Sequence, residues 1–232
     1  MIDWHSHVLP AMDDGSRNTE ESIQMLRALR EQGIECVIAT PHFLANREPV
    51  TAFLERREQA YDQLCQASVE KNLPQVICGA EVLYYPGIGR MEGFERLTIG
   101  NSNLLLLEMP MAKWTEYTIR ELGELSGTSG LTIVLAHVER YIGLQNRDVI
   151  SRLCENGLLM QVNASFFNTF GTRHKAFKLL QHGNIHFIGS DCHNMETRPP
   201  RIGSAYELIE KKYGKDYISQ MHKYNCQMLE HK

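Results

Sequence analysis

The sequence predicts an α/β fold, a (β/α) barrel of seven parallel strands. Three observations carry this reading. Seven short runs rich in apolar and β-branched residues alternate with stretches of helical periodicity along the chain. The runs are hydrophobic nearly throughout, as strands covered on both faces must be. Nearly every run ends in a polar residue of metal-ligand type, and in a barrel the strand ends converge on the face where chemistry sits.

The runs are "MIDWHSH", "ECVIATPH", "QVICGAEV", "NLLLLEMP", "LTIVLAHVER", "GLLMQVNAS" and "NIHFIGSDCH". The first helix follows the first run. Asn18 or Thr19 can cap it, Glu21 is placed for a capping box, Ile23, Leu26 and Leu29 share a face, and Gly33 closes it. A second helix shows Val50, Phe53, Leu54, Tyr61, Leu64, Cys65 and Val69 at helical spacing. Further helical patterns fill roughly 115–126, 146–156 and 173–182, and 203–231 reads as one helix or as two broken near Gly214. Between the third and fourth runs, "YYPGIGRMEGFERLTIGNS" is loop-like instead.

Composition removes several function classes. A hydrophobic share of 43% in 232 residues supports a sizeable core, and no linker or repeat divides the chain, so a single domain over 1–232 is expected, with 203–232 packed on the barrel as helices. The net charge of -4 argues against general nucleic-acid binding, which needs a basic stripe. No basic segment followed by an apolar one opens the chain, and no apolar run is long enough to span a bilayer, so a cytoplasmic location without membrane insertion is expected. The six cysteines form no C-x-x-C pair, which points to small buried hydrophobes rather than a zinc or redox motif.

The strand ends carry the site. His5 and His7 close the first run, with Asp14 in the loop beyond; His42 ends the second, Glu81 the third, Glu108 the fourth and His137 the fifth. Asp191 and His193 end the seventh, whereas the sixth ends at Asn163, which is not ionisable. His5 and His7 are two apart, as are Asp191 and His193, so each pair shares a strand face. Four carboxylates brought into one pocket need compensation. Two or three divalent ions would supply it, and a mixture of imidazole and carboxylate suits manganese, iron or zinc. Asp13 could exchange roles with Asp14. Asp3 is expected to orient a histidine from behind. His174, His182, His186, His222 and His231 are expected to be core residues.

"DWHSH", "DDG", "TPH", "GAE", "LLLLEMP", "AHVERY" and "GSDCHN", in that order, resemble the polymerase and histidinol phosphatase (PHP) superfamily. The resemblance is strongest to its manganese-dependent bacterial protein-tyrosine-phosphatase branch, the capsule and exopolysaccharide phosphatases. It implies a distorted TIM-like (β/α)7 barrel of PHP type holding three metals, often manganese. The family's ligand positions match His5, His7, Asp14, His42, Glu81, Glu108, His137, Asp191 and His193, and its choice of the aspartate just before the glycine favours Asp14 over Asp13. Its two phosphate-contacting arginines match Arg140 and Arg198. Val138 replaces a usual proline, Cys192 a usual alanine, and Phe43 a common second histidine, a change expected to alter the pocket rim.

The implied activity is metal-dependent hydrolysis of phosphotyrosine, with a bacterial tyrosine kinase of polysaccharide export, through its tyrosine-rich tail, as the implied substrate. Water acidified by the ions would attack phosphorus, the two guanidiniums would bind phosphoryl oxygens, and His42 or His193 would pass a proton to the leaving group. A small metabolite such as histidinol phosphate is the alternative substrate, and a non-enzymatic metal-binding module gives the arginines little to do. "CHNMETR" fits the C-x5-R pattern of cysteine-dependent phosphatases, but it has no glycine for a phosphate cradle. The loop 84–100 and "NASFFNTFGTRH" are expected to shape the opening, with Phe166, Phe167 and Phe170 either packing on a phenyl ring or lying in the core.

Overall fold

The computed structural model describes residues 1–68, 72–128, 130–146 and 148–230. Its strands are β1 (Ile2–Ser6), β2 (Cys36–Ala39), β3 (His42–Phe43), β4 (Gln75–Cys78), β5 (Glu81–Leu83), β6 (Leu104–Glu108), β7 (Thr132–Leu135), β8 (Leu159–Asn163) and β9 (Phe187–Gly189). All pair in parallel, in the orders β1-β2-β4 and β3-β5-β6-β7-β8-β9. The two sheets are one barrel wall. The second apolar run is β2 continued by β3 across Thr40-Pro41, and the third is β4 continued by β5 across Gly79-Ala80. Pro41 has no amide to give the ladder, so the break falls there. The wall closes where β9 ends against β1. The Asp191 N–H donates to the His5 carbonyl (2.8 Å) and the His7 N–H to the Cys192 carbonyl (2.9 Å). Seven parallel staves, curled and closed on the first, make the distorted TIM-like barrel.

The helices are α1 (Thr19–Glu31), α2 (Val50–Ala67), α3 (Glu116–Thr128), α4 (Val138–Tyr141), α5 (Val149–Glu155), α6 (Ser165–Asn168), α7 (Phe170–Gln181), α8 (Gly203–Tyr213) and α9 (Lys215–Glu230). The Asn18 side chain caps α1 by accepting the Glu21 N–H at 3.0 Å. Glu21 makes no return bond to the cap and turns to the Arg17 backbone and guanidinium instead. Met25, Leu26 and Leu29 are buried on its inner face. Val69 and His231 lie outside the described residues. Gly214, at φ 89, separates α8 from α9. The stretch 84–102 holds two short 3-10 turns, Ile88–Arg90 and Phe94–Leu97, each entered from a glycine with positive φ. The C-terminal helices are fastened to the first strand: the Tyr206 hydroxyl donates to the Ile2 carbonyl (2.8 Å) and the Trp4 indole to Asn225 Oδ1 (2.7 Å).

Several expectations are revised. His174 and His182 are exposed on and just after α7, on the side turned from the core, while His186 and His222 are only partly buried. Phe43 is fully buried against Phe53 (5.2 Å, edge-on), so it belongs to the core and not to the pocket rim. Phe166 and Phe167 also join the core, whereas Phe170 stands 91% exposed. All six cysteines are free. Among the described residues, no helix is long and apolar enough to cross a membrane.

Candidate active site

The barrel places all nine ligand-type residues at its C-terminal mouth. Register does part of this, because His42 and Glu81 are direct partners across β3 and β5, and Glu108 pairs with Leu83 across β5 and β6. Four groups of potential ligand atoms result: His7, Asp14, His42 and His193; His5, His7 and Glu81; His5, His137 and Asp191; and His42, Glu81 and Glu108. Within each group the atoms lie within 4.8 Å of one another. Glu81 is the hub. Its Oε1 is 2.6 Å from His137 Nε2, and its Oε2 is 3.0 Å from His42 Nδ1, 3.2 Å from His5 Nε2 and 3.4 Å from His7 Nε2.

Two of these residues sit in unusual backbone. His137 (φ 50) and Asp191 (φ 53) are left-handed, a conformation that costs a non-glycine residue energy and that tends to persist at functional sites. Two glycines let the wall close tightly behind the histidines. A Cβ on Gly189 would lie 2.4 Å from the His5 Cβ, and one on Gly15 would lie 2.4 Å from both the His7 Cβ and its carbonyl oxygen.

A second layer orients the rings. Asp13 Oδ2 lies 2.7 Å from His7 Nδ1 and also accepts the His42 N–H at 2.8 Å, while Asp13 Oδ1 accepts the Gly15 N–H at 2.9 Å. Asp14 instead faces inward, with Oδ1 3.4 Å from Nε2 of both His42 and His193. The two aspartates therefore divide the roles, Asp14 toward the ligand atoms and Asp13 behind them. Asp3 does not reach a ring. Its Oδ1 accepts the backbone N–H groups of Ser190 (2.7 Å) and His5 (3.3 Å), which ties β1 to the end of β9. Burial pushes its carboxyl up to about 6.

The partners missing from the sequence reading are amides. Gln161 Oε1 accepts the His137 N–H at 2.9 Å and lies 3.3 Å from His5 Nδ1. Asn163 Oδ1 is 3.1 Å from His137 Nδ1, and its Nδ2 donates to Asp191 Oδ2 at 2.8 Å. Both come from the sixth run, the one without an ionisable residue. Two polar residues spaced by two in an otherwise apolar run were the available signal.

The electrostatics fit a set of divalent cations. Glu81 Oε2, Asp191 Oδ1 and His193 Nε2 are buried without a hydrogen-bond partner among the described residues, yet each faces other ligand atoms. His5 and His7 point their Nε2 atoms at each other, 3.2 Å apart. Burial disfavours charge on His7, but Asp13 and Glu81 outweigh it and carry the ring up to about 10. Burial likewise works against ionised Glu81, yet His5, His137 and His42 hold it well below the usual carboxylate range. Positive charge is stabilised wherever these ligands converge, which is what a cation would exploit.

Two guanidiniums border the cluster. Arg140 donates to Asp191 Oδ2 at 2.8 Å, Arg198 forms an ion pair with the same oxygen at 2.8 Å, and Arg140 is 3.8 Å from Glu108 Oε1. Asn194 shapes the loop carrying Arg198: its side chain accepts the N–H groups of Glu196, Thr197 and Arg198. Cys192 lies in the core, fully buried, and burial drives its thiol well above the ordinary range. That is opposite to what a thiolate nucleophile requires.

Comparison with known proteins agrees with this geometry. A family model described as capsular polysaccharide synthesis, CpsB/CapC, matches residues 1–230. The tyrosine-protein phosphatase YwqE of Bacillus subtilis is 32% identical over 93% of this chain and 86% of its own. The tyrosine-protein phosphatase CpsB of Streptococcus pneumoniae is 33% identical over 92% of this chain and 91% of its own. A crystal structure from a study of YwqE and this CpsB, described as metal-dependent tyrosine phosphatases, superposes with a TM-score of 0.83, covering 100% of this chain and 96% of that one at 26% identity. A histidinol phosphate phosphatase from Lactococcus lactis shares the fold, with a TM-score of 0.57 at 15% identity over 91% of this chain and 93% of that one. Matched along nearly its whole length, the chain belongs to the CpsB/CapC family of capsular polysaccharide synthesis.

Proposed function

We propose that this protein is a metal-dependent phosphotyrosine-protein phosphatase. The observation that carries the reading is the convergence of nine imidazole and carboxylate ligands beside two arginines at one barrel mouth. His5, His7, Asp14, His42, Glu81, Glu108, His137, Asp191 and His193 would hold two or three divalent ions, manganese first, with iron and zinc as alternatives. When bound, the ions supply Lewis acidity toward phosphoryl oxygens and acidify water.

The chain's own residues do the rest. Arg140 and Arg198 present planar guanidiniums on one side of the cluster, each suited to binding two oxygens of a phosphate. Their hold on Asp191 keeps them in place before substrate arrives. His42 and His193 are the candidates for passing a proton to the leaving phenolate, and the His42 side chain is the more open of the two at 28% exposure against 1%. Gln161, Asn163 and Asp13 fix the rings and the Asp191 carboxylate.

The relatives are named tyrosine-protein phosphatases, and the matching family is one of capsular polysaccharide synthesis. The physiological substrate proposed here is the phosphorylated tail of a bacterial tyrosine kinase controlling capsule or exopolysaccharide synthesis. We further propose that residues 1–232 act as a single phosphoesterase domain in the cytoplasm. Parallel assays on a phosphotyrosine peptide, a phosphoserine peptide and histidinol phosphate test the substrate class. The phosphotyrosine peptide should be turned over far faster than the other two. A clear preference for histidinol phosphate would move the protein to the metabolite phosphatases.

A further inference from the structure

The arginine side of the mouth continues away from the metal ligands as a groove. One cavity joins Arg140, Asp191 and Arg198 to Arg201, and a second shares Asn168 and Arg201 with it and runs on to Arg173, Glu207 and Lys211. Together the two are bordered by five cationic side chains and two carboxylates. One of those carboxylates, Asp191, is already shared between Arg140 and Arg198. The excess of positive charge runs against the chain as a whole, which carries a net charge of -4.

Arg201 stands at the junction. It is exposed, and among the described residues no carboxylate lies within ion-pair distance of it. Its backbone is nevertheless held firmly. Gln32 donates from Nε2 to the Pro200 carbonyl at 2.8 Å, and its Oε1 accepts the N–H groups of Ile202 (2.9 Å) and Gly203 (3.0 Å). One side chain on the end of α1 thus clamps the chain on both sides of Arg201. The two prolines before it restrict the backbone further. An unpaired guanidinium on a fixed backbone, opening into the cavity of the reaction site, has only its own side chain left to order on binding an anion.

The reacting phosphate has Arg140, Arg198 and the ions to neutralise it, so Arg201 is surplus to that task. Building on the phosphatase reading, we propose that Arg201 is a specificity-determining residue that binds an acidic side chain flanking the phosphotyrosine of a protein substrate. Lys211 and Arg173 extend the same groove for further acidic residues.

The test uses the full chain with saturating manganese and three peptides bearing one central phosphotyrosine. One has glutamates on its N-terminal side, one on its C-terminal side, and one has neutral flanks. The wild type should prefer one acidic peptide over the neutral one in kcat/KM by about fivefold, the scale of one exposed charge pair. The preference should shrink as salt is raised. Arg201→Ala should bring the ratio to about one, Arg201→Lys should keep most of it, and Arg201→Glu should favour the neutral peptide. An unchanged ratio in Arg201→Ala, or an equal loss on acidic and neutral peptides, would overturn the inference while leaving the phosphatase reading intact. A wild type that turns over none of the peptides would defeat both.

Discussion

Asp13 Oδ2 lies 2.7 Å from Nδ1 of His7, and this contact decides what the His7 ring presents to the site. A carboxylate at Nδ1 holds a proton there, so that an ion displacing the Nε2 proton would meet the ring's lone pair beside His5 Nε2 and the Glu81 and Asp191 carboxylates. Asp13→Asn keeps the shape and removes the charge. The metal concentration giving half-maximal activity should then rise by about 10- to 100-fold, with activity partly recovered at saturation. A metal titration with unchanged midpoint would show that Asp13 only shapes the loop.

Cys192 and Asp191 are neighbours with opposite environments. The thiol is fully buried, while the carboxylate meets two guanidiniums and four imidazoles. Cys192→Ala should keep most activity at a stability cost of ~1 kcal/mol. Thiol alkylating agents should not inactivate the folded enzyme. Asp191→Ala should lose nearly all activity, since it removes a ligand and frees both arginines. A folded, fully metallated but inactive Cys192→Ala protein would point to cysteine chemistry instead.

Arg140 and Arg198 form ion pairs with the same carboxylate oxygen at equal distance, so each should contribute comparably. Replacing either by Ala should lower turnover of an aryl phosphate by about 100-fold, the scale of one lost transition-state donor. Metal content should stay near wild type. Wild-type rates in both variants would reduce the arginines to structural partners of Asp191.

His186 offers a test of stability away from the mouth. Its Nδ1 accepts the Met160 N–H at 3.0 Å, a bond only the neutral tautomer can make, and burial lowers its pKa to about 4. The unfolded chain, with an ordinary histidine, binds a proton below about 6.5 while the folded ring refuses one. Stability should therefore be flat above that pH. It should fall as pH drops toward 4, by at most ~1.4 kcal/mol per pH unit from this group. His186→Asn keeps an acceptor but cannot titrate. Urea midpoints at pH 7.5 and 5.5 should show the wild type losing more than the variant, and equal losses would contradict it. The acid-sensitive ligand cluster is common to both proteins and cancels in the comparison.

The barrel and its ligand residues were legible in the sequence because both signals are local. A buried parallel strand reads as an apolar run, and a polar residue ending it stands out. The supporting layer was harder to see. Gln161 and Asn163 do their work through amide hydrogen bonds to residues 24 to 156 positions away, and nothing near them in the sequence marks those partners. The division of labour between Asp13 and Asp14 depends on which way a loop turns. Neighbouring acidic residues look alike until Gly15 lets the chain fold back on His7. The left-handed backbone at His137 and Asp191 carries no residue-type signal, since neither is glycine. Phe43 shows the limit of reasoning from a replaced residue: next to His42 in sequence, it points to the other side of its strand and into the core.

Metal dependence is most directly tested by measuring metal content and phosphotyrosine-peptide turnover on the same sample, before chelation, after exhaustive chelation and after manganese is restored. The purified protein should carry two or three ions per chain, lose activity together with them, and regain it with manganese. Full activity in a sample verified to be metal-free would contradict the proposal that these nine side chains act by holding metal ions.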